Sequence, residues 1–166
     1  SRELSFSGSA QDNYHLREEQ DFVLDIDNIC RTLGHGKYDF LILCNPNNPT
    51  STAILRNAME RLLSFCSSKA IFVMIDETYV EFAPDIEAVT AVSFTKIFDN
   101  LCVLRGVSKF FAAPGLRLGY AVTRNFALLE KMKKKQIPWS LNSIGVFAGE
   151  LLFRDKEYIS RARKLI

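Results

Sequence analysis

Lys109 is the residue whose neighbours promise chemistry. It stands in the string Ser108-Lys109-Phe110-Phe111-Ala112-Ala113-Pro114-Gly115-Leu116-Arg117-Leu118-Gly119-Tyr120. Upstream, Asn45-Pro46-Asn47-Asn48-Pro49-Thr50 and Asp76-Glu77-Thr78-Tyr79 each follow a short apolar run. A free lysine amine, with a pKa of about 10.4, is a poor nucleophile at neutral pH. Bound to a carbonyl as an imine, it can pass that carbonyl to an incoming amine. The residues around it are of the types needed to hold an aldehyde cofactor that carries a phosphate.

Pyridoxal 5′-phosphate makes specific demands. A carboxylate beside its pyridine nitrogen keeps the ring protonated, so that the ring can act as an electron sink. Asp76, at the end of an apolar run, is of the right type. The phenolic oxygen needs hydrogen-bond donors, which Asn48 and Tyr79 can supply. The phosphate suits a planar, bidentate cation, and Arg117 meets that better than a lysine would. Ser108 adds a hydroxyl or its backbone amide.

These residues converge only if the elements before them place them together. Phe40–Cys44, Ala70–Ile75 and Leu101–Leu104 are continuous apolar runs, which predict parallel strands buried on both faces. Between them, Thr52–Cys66 carries a helical stripe of Ile54, Leu55, Ala58, Leu62 and Phe65. Ile86–Phe98 carries a weaker one of Val89, Val92 and Ile97. Strand alternating with helix is the pattern of a doubly wound α/β sheet. Leu24–Leu33 predicts a helix ending at Gly34-His35-Gly36, Leu118–Val122 a fourth strand, and Phe126–Lys135 and Leu141–Phe153 two more helices. Glu3–Ser7 alternates like a short strand. In open α/β sheets ligands bind beyond the carboxyl ends of the strands, where Asn48, Asp76 and Lys109 all fall.

The three motifs, in this order and spacing, resemble the large domain of class I/II aminotransferases, within the fold-type I pyridoxal-phosphate enzymes. The nearest branch is that of the histidinol-phosphate aminotransferases and threonine-phosphate decarboxylases. The resemblance implies a three-layer α/β/α fold with a mostly parallel sheet, present here in part. It implies that Lys109 forms the internal aldimine and then moves the proton at the substrate Cα, that Asp76 pairs with the pyridinium, and that Asn48 and Tyr79 contact the phenolic oxygen. Ser108 and Arg117 would hold the phosphate, and Asn48-Pro49 is a candidate cis bond. The implied activity is amino-group transfer between an amino acid, or an amino-acid or amino-alcohol phosphate, and a 2-oxo acid. Decarboxylation of an amino-acid phosphate is the alternative, and a non-catalytic effector domain of a regulator is a third reading. A homodimer of the full-length protein is implied as well, and the cysteines, read as free thiols, point to a reducing cytoplasm.

Two positions depart from the family pattern. Ser51 replaces the glycine usual after Asn-Pro-Thr, so a turn with φ > 0 there would strain it. Gly106 stands where relatives often place a hydroxyl that touches the phosphate. The family's amino-terminal phosphate loop, ring-stacking aromatic and small-domain arginine cannot be located in residues 1 to 166. With no initiator Met and a last helix that stops without a cap, the chain is expected to be a large-domain piece, weak in binding cofactor and in turnover by itself.

Composition narrows the field further. The 166 residues, 48% hydrophobic and 24% charged with a net charge of +2, suit one globular domain. Apolar runs of about six residues are too short to span a bilayer. Cys30, Cys44, Cys66 and Cys102 lack metal-ligand spacing and read as buried free thiols, so no metal is expected. The Asp76-Glu77 pair could serve a magnesium-dependent ATPase, but no G-x-x-x-x-G-K-[ST] loop accompanies it. The lysine run of 131–135 reads as a solvated helix end rather than a nucleic-acid surface.

Overall fold

The computed structural model describes residues 8–165; the predicted strand at Glu3–Ser7 lies outside them. Four strands form one sheet: β1 (Phe40–Cys44), β2 (Phe72–Asp76), β3 (Leu101–Gly106) and β4 (Gly119–Val122). Their spatial order is β1-β2-β3-β4, the first three parallel and the last antiparallel. The architecture is the three-layer α/β class with a mostly parallel sheet. Among the described strands the order never reverses, so they contain no doubly wound switch. Successive right-handed crossovers in one direction put their connections on one face.

That face is the core. Leu41, Leu43, Val73, Ile75, Leu101 and Val103 pack with helices α1 (Ile26–His35) and α2 (Arg56–Ser68) and with Phe94. The side chains of β1 that alternate to the other face stay open, with Phe40 and Ile42 each 45% exposed. The expectation of strands buried on both faces therefore fails for β1. Phe40 and Ile42 lie on the sheet's second face, where Phe40 stacks on Phe72 at 5.4 Å. Cys44, on the same face, is exposed rather than buried.

In α2 the buried stripe is Met59, Leu62, Leu63 and Cys66, while Leu55, predicted to be inside, caps the helix and is 60% exposed. The helix expected over Ile86–Phe98 is broken into α3 (Ile86–Val89) and a 3-10 turn (Val92–Lys96). The cause of the break lies outside the segment: the Ala91 N–H donates to the Glu77 carboxylate at 2.5 Å instead of to a helical carbonyl. Phe94 is consequently the buried aromatic, and Ile97 faces outward. Helices α4 (Phe126–Lys135), α5 (Ser143–Arg154) and α6 (Lys156–Leu165) follow β4. Asn125 and Asn142 cap α4 and α5 by accepting from the Leu128 and Gly145 N–H groups.

Candidate active site

The carboxyl ends of β1, β2 and β3 deliver three loops to one edge of the sheet. Register makes Cys44 and Asp76 neighbours, and Asp76 and Leu104 neighbours in turn. Asp76 therefore shares the open face with Cys44. Its Oδ1 accepts from the Thr78 N–H at 2.9 Å and also from the Thr78 hydroxyl, which fixes the carboxylate's direction. Partial desolvation of the sulfur against the sheet, followed by the charge of Asp76, raises the Cys44 thiol above its ordinary pKa although the residue remains exposed.

The loop after β1 is tied down from within. Asn45 is fully buried; its Oδ1 accepts from the Ile54 N–H at 2.7 Å and its Nδ2 donates to the Val89 carbonyl at 2.9 Å. The Asn47 N–H donates to the Thr52 carbonyl at 2.8 Å, and the Asn47 side-chain amide donates to the Thr50 hydroxyl at 2.7 Å. Asn48-Pro49 is cis, as anticipated, and Asn45-Pro46 is cis as well. Ser51 adopts φ +57°, the left-handed conformation that would suit a glycine.

Three of the expected residues meet. The Asn48 amide donates to the Tyr79 hydroxyl at 3.2 Å, and Lys109 Nζ lies 5.7 Å from the centre of the Tyr79 ring, within cation–π range. The two phosphate candidates reach the edge through the β3–β4 pairing. Gly106 faces Gly119, and the Val107 N–H then donates to the Leu118 carbonyl at 3.3 Å. Ser108 and Arg117 follow directly on either side of that bond. Arg117, itself at φ +51°, uses one guanidinium nitrogen on the Pro114 carbonyl at 3.3 Å and remains exposed. Among the described residues, no side-chain hydrogen bond joins Ser108 or Arg117 to the Lys109 amine.

Glu77 stands beside Asp76 in sequence, but the two side chains do not share a face. Strand alternation turns it away from Asp76, into the core, where it is 0% exposed. Its carboxylate accepts from the Ala91 N–H, the Thr90 hydroxyl at 2.9 Å, and Arg105 Nε and Nη2 at 3.0 and 2.8 Å. The pair Asp76-Glu77 is thus split between two faces and offers no joint cation site. Alternation past Asp76 was the available signal for Glu77; nothing pointed to Arg105. Among the described residues no cluster of His, Cys, Asp and Glu could hold a metal ion.

The donor set at this edge is one amine, one oriented carboxylate, one phenol, one amide and one guanidinium. The profile of the family described as "Aminotransferase class I and II" matches residues 2–162. The threonine-phosphate decarboxylase of Salmonella typhimurium is 34% identical over 95% of this chain and 42% of its own length. The histidinol-phosphate aminotransferase of Clostridium kluyveri is 33% identical over 87% of this chain and 39% of its own. The crystal structure of the histidinol-phosphate aminotransferase from Clostridium acetobutylicum superposes with a TM-score of 0.87 at 29% identity, covering 96% of this chain and 46% of that one. The chain spans less than half the length of these relatives.

Proposed function

We propose that this chain, which belongs to the class I and II aminotransferase family, is the cofactor-holding part of a pyridoxal-phosphate-dependent aminotransferase. The observation that carries the reading is the meeting of Lys109, Tyr79 and Asn48 beside Asp76 at the carboxyl edge of the sheet. The donor set fits the cofactor: Thr78 holds a carboxylate in one orientation on the open face, and a phenol–amide pair stands next to a free amine. Bound there, pyridoxal phosphate supplies an electron sink for the pair of electrons released at the substrate Cα.

The chain's own residues divide the remaining work. Lys109 Nζ is the covalent attachment point and the proton carrier at the substrate Cα. Asp76 holds the proton on the ring nitrogen. Tyr79 and Asn48 hydrogen-bond the phenolic oxygen, Asn48 also fixing the Tyr79 hydroxyl. Ser108 and Arg117 bind the phosphate, without the hydroxyl that Gly106 lacks. The substrate is an amino acid, including an amino-acid or amino-alcohol phosphate, which exchanges its amino group with a 2-oxo acid. The full-length protein is read as a cytoplasmic homodimer. Free thiols support the compartment, and the apolar stripe Ile144, Phe147 and Leu151, open on α5, is surface for a partner to cover.

Decarboxylation of an amino-acid phosphate is the second reading, favoured by the 34% identity to the Salmonella decarboxylase. The two differ in which Cα bond is held perpendicular to the ring. Incubating the full-length protein with a panel of amino acids and amino-acid phosphates separates them. Amination of the cofactor supports transamination; carbon dioxide release without it supports decarboxylation. Neither outcome with any donor would contradict both.

A further inference from the structure

Directly behind Lys109, Phe110 and Phe111 are buried, and a cluster of rings gathers around them. Tyr158, on α6, stacks on Phe111 at 6.0 Å and meets Phe110 edge-on at 6.1 Å. Its hydroxyl donates to the Phe110 carbonyl at 2.8 Å. Phe110 also meets Phe82 edge-on at 5.5 Å, and Phe82 lies 5.9 Å from Tyr79. The lysine loop is therefore held between Tyr79 on its front and Tyr158 at its back.

We infer that Tyr158 is a positioning residue for Lys109, acting through the backbone carbonyl next to it. The physical reason is the state of that carbonyl. Phe110 is buried, and a buried carbonyl without a donor is costly. Lys109 itself is exposed and long, so its amine is placed only as well as its backbone is. The loop closes locally through the Ala112 N–H on the Lys109 carbonyl at 2.9 Å and a long 3.4 Å bond from Ala113 to Val107. Tyr158, 48 residues away in sequence, supplies the anchor from a different element. The inference rests on the cofactor reading only for what Lys109 binds.

The test uses the full-length protein with Tyr158→Phe, which keeps both ring contacts and removes the hydroxyl. Thr123→Val is the control: at the opposite end of β3 it removes a comparable hydroxyl-to-carbonyl bond, to Leu101, and with it the bond that the same hydroxyl accepts from the Asn125 N–H. Without cofactor, amide hydrogen exchange at Ala112 should quicken in Tyr158→Phe and stay unchanged in the control. The dissociation constant for pyridoxal phosphate should rise about tenfold in Tyr158→Phe, the loss of one buried hydrogen bond, and less than about twofold in the control. Unchanged exchange at Ala112, or equal losses of affinity in both variants, overturns the inference. Quickened exchange in a protein whose wild type binds no pyridoxal phosphate supports the Tyr158 anchor and overturns the cofactor reading instead.

Discussion

Replacing Arg105 with methionine should be among the most damaging single changes in this chain, although Arg105 is not expected to touch the cofactor. Glu77 is fully buried and its carboxylate takes four hydrogen bonds, two of them from the Arg105 guanidinium. Arg105 also donates to the Thr90 hydroxyl at 2.7 Å. It is the one cation within 4 Å of Glu77 among the described residues. Methionine would fill much of the volume but leave a buried charge with only Thr90 and the Ala91 N–H. Breaking a buried pair from one side costs about 3–5 kcal/mol. With a urea dependence of about 2 kcal/mol per molar, the unfolding midpoint should fall by roughly 2 M. Circular dichroism reads this, and a cycle with Glu77→Gln should show coupling of about 1–3 kcal/mol. A loss under about 1 kcal/mol, or strictly additive variants, would refute the view that this pair clamps β2 to β3 beneath the site.

Ser51→Gly should stabilise the protein by about 0.5–1 kcal/mol. The left-handed conformation costs a residue with a Cβ about 1–2 kcal/mol, and glycine's greater freedom when unfolded returns part of that; a lower thermal midpoint would contradict the strain at φ +57°. Burial raises the pKa of the Glu81 carboxyl, with Glu77 adding and Arg105 and Arg163 opposing; the side chain is 12% exposed and its Oε2 has no partner. A carboxyl raised in the folded state carries no penalty below its unfolded pKa of about 4.3 and a growing one as pH rises through the folded value. Glu81→Gln should therefore raise the urea midpoint at pH 7.5 and leave it unchanged near pH 4, and equal effects at both would count against the assignment. Iodoacetamide on the native protein should label exposed Cys44 while sparing buried Cys66, whose thiol burial pushes up to about 12. Peptide mapping that finds Cys66 labelled first would reverse that order.

What could be read from the chain, and what could not, follows from the range of the interactions. Phe40–Cys44 and Phe126–Lys135 form over the residues their apolar patterns mark, because each pattern is local. That Asn48, Tyr79 and Lys109 would come together could be read because each lies a few residues past a strand, with Asp76 the last residue of β2, and a parallel sheet brings strand ends to one edge. Ile86–Phe98 was misread because its helical pattern competes with Glu77, whose carboxylate takes the Ala91 N–H from a distance of 14 residues. The Glu77–Arg105 pair spans 28 residues, and nothing in either residue's neighbourhood announces it. Leu55 was placed inside by periodicity, yet it stands at the first turn, where the chain enters from the loop. Openness of the β1 face could not be foreseen, since an apolar strand looks the same whether both faces are covered or one.

The most direct test of the central claim is to locate the covalent attachment. The full-length protein, loaded with pyridoxal phosphate, is reduced with borohydride, digested and mapped by mass spectrometry. The phosphopyridoxyl mass should appear on Lys109, and Lys109→Ala should carry none. The same mass on another lysine, or retained in Lys109→Ala, would contradict it.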